Sequence, residues 1–243
     1  FNGFADPVHV MKTFNEAMQS FMDAKGIIID LRGNGGGLGA MAMGMVGWLA
    51  EGNPAVGKLK MRDNELKLIV QSRPKTYTGP VAVLVDGLSG SASEFFSGGL
   101  QELGRACIVG SRSLGEALPG QFTTLPNGEV FMYATANFTS ASGKVLEGVG
   151  VKPDVVAEPT RADLLAGRDP ALEAAIAWIQ RQQQREASIF ERRQSYHEPG
   201  TKSAYGALPG CGLRLHLWTG KCCVVAGGRA TQGRGWPSGC PAE

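Results

Sequence analysis

The period of the apolar positions changes along the chain, and each change marks an element. Phe1–Phe4 is apolar enough to be the end of a strand. Asp6-Pro7 opens a segment in which Val10, Phe14, Met18 and Phe21–Met22 fall on one helical face, and Lys25-Gly26 stops it. Ile27–Leu31 then reads as a buried strand whose end carries a charged pair, Asp30 and Arg32. A glycine loop, Gly33-Asn34-Gly35-Gly36-Gly37, leads into a predicted helix over Leu38–Leu49 that is rich in Met, Ala and Gly. Leu59–Arg62 and Leu66–Val70 alternate as a hairpin does. Val81–Val85 is apolar throughout and β-branched at three of five positions, the composition of a strand buried on both faces. Beyond Asp86-Gly87-Leu88 and a serine cluster, Phe95, Phe96, Leu100 and Leu103 recur at helical spacing. Ala106–Gly110 predicts another buried strand, and Phe122–Leu125 and Val130–Ala136 flank the turn signal Pro126-Asn127-Gly128. After a Gly- and Pro-punctuated loop over Glu147–Asp154, Asp169-Pro170 starts a last helix with Leu172, Ala175, Ile176 and Ile179 on one face. Strands alternating with helices predict an α/β layer fold. No internal repeat is present.

Composition divides the chain in two. Residues 1–187 form the expected folded body. Residues 188–243 are rich in Gly, Arg, Cys and Trp, show no sustained period, and are expected to be disordered or foreign to the natural protein. That tail holds seven Lys/Arg against three Asp/Glu, whereas the body holds 17 against 19, so the body carries no basic footprint for nucleic acid. Four of the five cysteines (Cys211, Cys222, Cys223, Cys240) lie in the tail without a C-x-x-C pair, a poor spacing for zinc, and Cys107 alone lies in the body. No metal or cofactor is expected. The first residue, Phe1, reads as mid-strand, which predicts a chain truncated at its N-terminus and leaves the missing signal peptide uninformative.

The chemistry centres on Val81–Leu103, VAVLVDGLSGSASEFFSGGLQEL. A strand, a tight turn, a serine and a helix lift a hydroxyl onto a helix N-terminus, where unpaired amides and the macrodipole favour negative charge. The same residues admit a structural reading. Ser91 with Glu94 three residues on is a capping box, which needs no catalysis. The glycine loop also has two readings. Gly37-x-Gly39-x-x-Ala42 loosely fits a dinucleotide fingerprint, although Asp30, Arg32, Gly33 and Asn34 intervene, and the acids about twenty residues on, Asp63 and Glu65, sit in a hairpin. Alternatively, exposed glycine amides serve as an oxyanion hole, where one donor is worth about 10²–10³ in rate.

Five motifs in order carry a family resemblance. Ile28–Leu38, IIDLRGNGGGL, resembles the D-L-R-x-N-x-G-G motif of the S41-type serine peptidases, the tail-specific or C-terminal-processing proteases. Val83–Glu94 resembles their nucleophile segment, and Gly104-Arg105-Ala106 with Val109-Gly110 the strand after it. Leu125–Gly128 and Ser142–Asp154, SGKVLEGVGVKPD, resemble the closing segment. The resemblance covers residues 1–184. It implies a crotonase/ClpP-like core of ββα units, with a mixed, largely parallel sheet and a C-terminal helix. It places Ser91 on the nucleophile, and the amides of Ala92 and of Gly36 or Gly37 on the oxyanion hole.

One departure matters. Members with a Ser–Lys dyad carry lysine where this chain has Glu116, in Ser113-Leu114-Gly115-Glu116-Ala117, and a carboxylate does not replace a neutral lysine as proton acceptor. The chain therefore resembles either a silenced site or the tricorn-like branch, whose base is an upstream histidine oriented through a glutamate that Glu147 matches. His9, His197 and His216 match no motif, and Lys144 and Lys152 read as solvated loop lysines. Glu147 by itself could equally pair Arg32. The resemblance implies a protein or peptide substrate, leaves a homo-oligomer open, and points to a periplasmic, membrane-associated or secreted setting that the sequence does not itself assign. A non-catalytic ligand- or peptide-binding module, as in retinoid-binding relatives of this fold, is the alternative.

Overall fold

In the computed structural model residues 1–195 are described, the last five by their backbone alone. The chain runs α1 (Pro7–Ser20), β1 (Ile27–Asp30), α2 (Gly39–Val46), β2 (Ala55–Lys60), β3 (Glu65–Ile69), β4 (Val81–Val85), α3 (Ala92–Glu102), β5 (Cys107–Gly110), β6 (Gly120–Thr124), β7 (Val130–Ala134), β8 (Asn137–Ser140), β9 (Val155–Val156), α4 (Arg161–Leu165) and α5 (Pro170–Ser195). Parallel and antiparallel strands sort into separate sheets. The central sheet has the order β1-β4-β5-β9 with every neighbour parallel, a second sheet has the antiparallel order β3-β2-β8, and among the described residues β6 pairs only with β7.

Strand β4 shows why its run of five apolar residues is needed. Val81, Val83 and Val85 enter a large core built with α1, α2 and α3, whereas Ala82 and Leu84 enter a smaller one closed by Ala171, Ala175 and Ile179 of α5. Covered on both faces, all five residues are buried. Helix α1 starts where Asp6-Pro7 predicts, with the Asp6 carboxylate accepting the His9 amide at 3.2 Å.

Several elements differ from the sequence reading. Strand β2 begins at Ala55 rather than Leu59, because Ala55 pairs with Ile69 of β3 and Gly57 and Lys58 pair with β3 on one edge and β8 on the other, with an irregular register between Ala55 and Gly57. Strand β8 and helix α4 have too few apolar positions to show a period. Phe1–Phe4 makes a single parallel bridge, Phe4 to Gly37, and no strand. Helix α5 continues to Ser195, past the expected boundary at residue 187. The rest of the basic tail, with its four cysteines, lies outside the described residues.

Candidate active site

The turn after β4 holds three serines, and their hydrogen bonds separate them. Ser89 Oγ donates to the Leu31 carbonyl at 2.8 Å and Ser93 Oγ to the Asn34 carbonyl at 2.8 Å, both fully buried. These two hydroxyls lock the turn to the glycine loop. Ser91 stands between them at φ 51°, ψ −115°, a backbone conformation that a residue with a Cβ adopts at a cost of about 1–3 kcal/mol. Its N–H is held twice, by the Glu116 carbonyl at 3.0 Å and by Glu94 Oε2 at 3.0 Å. The capping box closes on its Glu94 side through this hydrogen bond; on the other side the Ser91 side chain faces the Glu94 amide, whose hydrogen bond goes to the Ser91 carbonyl at 2.8 Å, and Ser91 lines a cleft of about 1380 Å³. A capping role alone does not account for this backbone.

The glycine loop packs directly under that serine. A Cβ on Gly36, at φ 100°, would lie 2.6 Å from Ser91 Cβ and 2.8 Å from the Ala92 nitrogen. A Cβ on Gly37, at φ 134°, would collide with the Phe4 carbonyl. Buried Asn34 holds the loop in shape, its Oδ1 accepting the Gly36 amide at 3.0 Å and its carbonyl accepting the Gly90 amide at 3.1 Å. The sequence left Gly36 and Gly37 as alternative oxyanion donors. The Gly36 amide is engaged by Asn34 Oδ1. The amides of Gly37 and of Ala92, the first residue of α3, have no acceptor among the described residues.

Three glutamates lie around the Ser91 turn and make different contacts. Glu94 is fully buried and accepts four hydrogen bonds: from the amides of Ser91, Gly115 and Glu116 at 3.0, 2.8 and 3.0 Å, and from Ser113 Oγ at 2.6 Å. Ser113 Oγ in turn accepts the Val151 amide at 2.6 Å. One carboxylate so joins the Ser91 turn, the loop after β5 and the segment before β9. Sequence reasoning found Glu94 only as a local cap; its long-range donors come from residues about twenty positions away and leave no local signal. Glu147 Oε2 accepts the amides of Ala117 and Leu118 at 2.7 and 3.1 Å, and its side chain lines the cleft with Ser91. Glu116 is exposed into the same cleft.

Other candidates lie elsewhere. Arg32 does not meet Glu147. It makes bidentate contacts to Asp30 and to Asp169, at 2.8 and 2.9 Å to the latter, fastening the start of α5 to the end of β1. Hydrogen bonds from Arg32 hold the Asp169 carboxyl below the usual carboxylate range, and Asp30 and then Asp169 raise the guanidinium. Lys144 pairs with Glu102 at 3.4 Å, and it and Lys152 line a separate pocket. His9 is exposed on α1. Among the described residues lining the cleft there is no His, Lys or Arg. The dinucleotide reading fails on topology: β2 and β3 are antiparallel, so Asp63 and Glu65 do not end a next parallel strand, and Glu65 pairs with Lys58 at 3.2 Å.

The model of peptidase family S41 matches residues 1–157, well over half of the chain. The chain belongs to peptidase family S41. The S41 chain is 29% identical over 171 residues to the carboxy-terminal-processing protease of Bartonella bacilliformis, covering 66% of this chain and 39% of that one. It is 27% identical over 135 residues to the carboxy-terminal processing protease CtpA of Bacillus subtilis, covering 56% and 29%. It therefore spans well under half the length of these relatives. Its fold matches the photosystem II D1 C-terminal processing protease with a TM-score of 0.54 at 24% identity, over 65% of this chain and 41% of that one. It matches the tricorn protease with a TM-score of 0.53 at 26% identity, over 70% and 17%.

Proposed function

We propose that this S41 chain carries the nucleophile and oxyanion hole of a serine peptidase that cleaves protein or peptide chains. The observation that carries this reading is Ser91 at φ 51°: its N–H is held on both sides, Ser89 and Ser93 are buried, and of the three serines it alone lines the cleft. Ser91 Oγ attacks the scissile carbonyl carbon, and its proton passes to a base. The tetrahedral oxyanion lies against the Gly37 and Ala92 amides, which are fixed before the charge develops. The C–N bond then breaks as the amine leaves with that proton, and water hydrolyses the Ser91 ester.

The cleft supplies no such base among its described residues. The base comes from a residue other than the described ones that line the cleft, and the chain spans well under half the length of its relatives. Glu147 orients it from the cleft wall while its other oxygen holds Ala117 and Leu118.

The test is labelling with a fluorophosphonate of the protein expressed with its natural upstream region, the adduct being mapped by mass spectrometry. An adduct on Ser91 that disappears in Ser91→Ala is expected. A folded protein that takes no adduct is instead a silent peptide-binding module on this fold.

A further inference from the structure

We propose that Glu116 is a specificity-determining residue of this cleft, selecting peptides that place a lysine or arginine side chain beside the scissile bond. The inference rests on the peptidase reading above. Glu116 is fixed to the nucleophile by its backbone: its carbonyl accepts the Ser91 N–H at 3.0 Å, and its own N–H donates to Glu94 Oε2 at 3.0 Å. Its position relative to Ser91 is therefore set on both sides, and Glu116 is exposed and lines the cleft.

The carboxylate takes no hydrogen bond and no ion pair from any described residue, unlike Glu94 and Glu147, whose oxygens are occupied by backbone amides. No Lys, Arg or His among the described lining residues competes for it. Much of the remaining wall is apolar, with Leu38, Met43, Val46 and Phe95 among its residues, so a bound peptide displaces water from around a negative charge. A peptide whose own cation reaches that charge restores its partner. One that brings a carboxylate there meets repulsion with nothing to screen it.

The probes are blocked hexapeptides, acetyl-Ala-Ala-X-Leu-Ala-Ala-amide and acetyl-Ala-Ala-Leu-X-Ala-Ala-amide, with X as Lys, Gln or Glu. Binding to the full 243-residue chain carrying Ser91→Ala is measured by calorimetry, with circular dichroism confirming the fold. In one of the two series the lysine peptide is expected to bind about fivefold more tightly than the glutamine peptide, and the glutamate peptide more weakly still. The ratio shrinks in 0.5 M salt, disappears in Glu116→Gln and inverts in Glu116→Lys. Asp63→Asn, which removes the same charge from the exposed β2–β3 turn, leaves the ratio in place. Equal binding of all the peptides, or a lysine preference that survives Glu116→Gln, overturns the role of Glu116 and leaves the peptidase reading standing. A folded protein that binds none of them overturns both.

Discussion

Ser91 and Phe122 line the same cleft, but what holds them there differs. Around Ser91 the chain is tied from several directions: Ser89 and Ser93 bind the glycine loop, Glu94 gathers four donors, and Asn34 braces Gly36 and Gly90. Around Phe122 there is a two-stranded ladder and little else. All ten residues of β6 and β7 are exposed, with Phe122 and Val130 each at 70% and Met132 at 56%. Phe131 and Tyr133 stack on one another at 6.2 Å, a contact within a single strand. The Ser91 wall is over-determined, as the proposed presentation of a nucleophile would require. Among the described residues the Phe122 wall is held mainly by its own ladder, and isolated hairpins are marginal by themselves.

The sharpest way to break that contrast is at Glu94. Glu94→Ala leaves four donors without an acceptor in the core and is expected to cost about 4 kcal/mol, read as a drop in the urea midpoint. Gly36→Ala comes next. Its Cβ would overlap Ser91 Cβ and the Gly90 carbonyl, and the backbone is at φ 100°, so about 2–3 kcal/mol is lost. Displacement of the serine by about 1 Å should also slow phosphonate labelling on the order of 10²-fold.

Arg32→Gln should cost about 1 kcal/mol, because its two carboxylate partners are partly exposed. The pH dependence has a defined sign. Asp169 has a folded pKa depressed by Arg32, so its contribution is complete above the ordinary carboxylate value near 4 and is lost as pH falls through the lower folded value. The stability difference between the natural chain and Arg32→Gln is therefore expected to be constant from neutrality to about pH 5 and to shrink below about pH 4. Smallest of all, Phe122→Ser should change stability by less than about 0.5 kcal/mol, since the side chain is mostly in solvent. It should still weaken binding of the leucine hexapeptides. A stability loss as large as that of Gly36→Ala would mean that the hairpin is structural after all.

Local pattern was enough to read the elements that the cleft depends on. Val81–Val85 becomes β4 without a shift, since a strand covered on both faces must be apolar at every position. Asp6-Pro7 and Asp169-Pro170 open α1 and α5, because a side-chain cap with proline at the first helical position acts within one turn. The Ser-x-x-Glu of Ser91 and Glu94 was legible for the same reason. The motif order placed Ser91, Glu147 and the glycine loop as candidates, and one cleft holds Ser91, Gly37 and Glu147 together.

Tertiary structure alone decided the rest, where the deciding partner lies far along the chain. Asn34 takes the Gly36 amide and leaves that of Gly37 open, a choice that two adjacent glycines do not encode. Arg32 goes to Asp169, 137 residues on, rather than to Glu147, because the parallel sheet brings the start of α5 against the end of β1. Three serines that look alike in sequence become two buried struts and one that lines the cleft only when the carbonyls of Leu31 and Asn34 are packed against the first two. A hydrogen bond needs its acceptor within about 3 Å, and that proximity is a property of the folded chain.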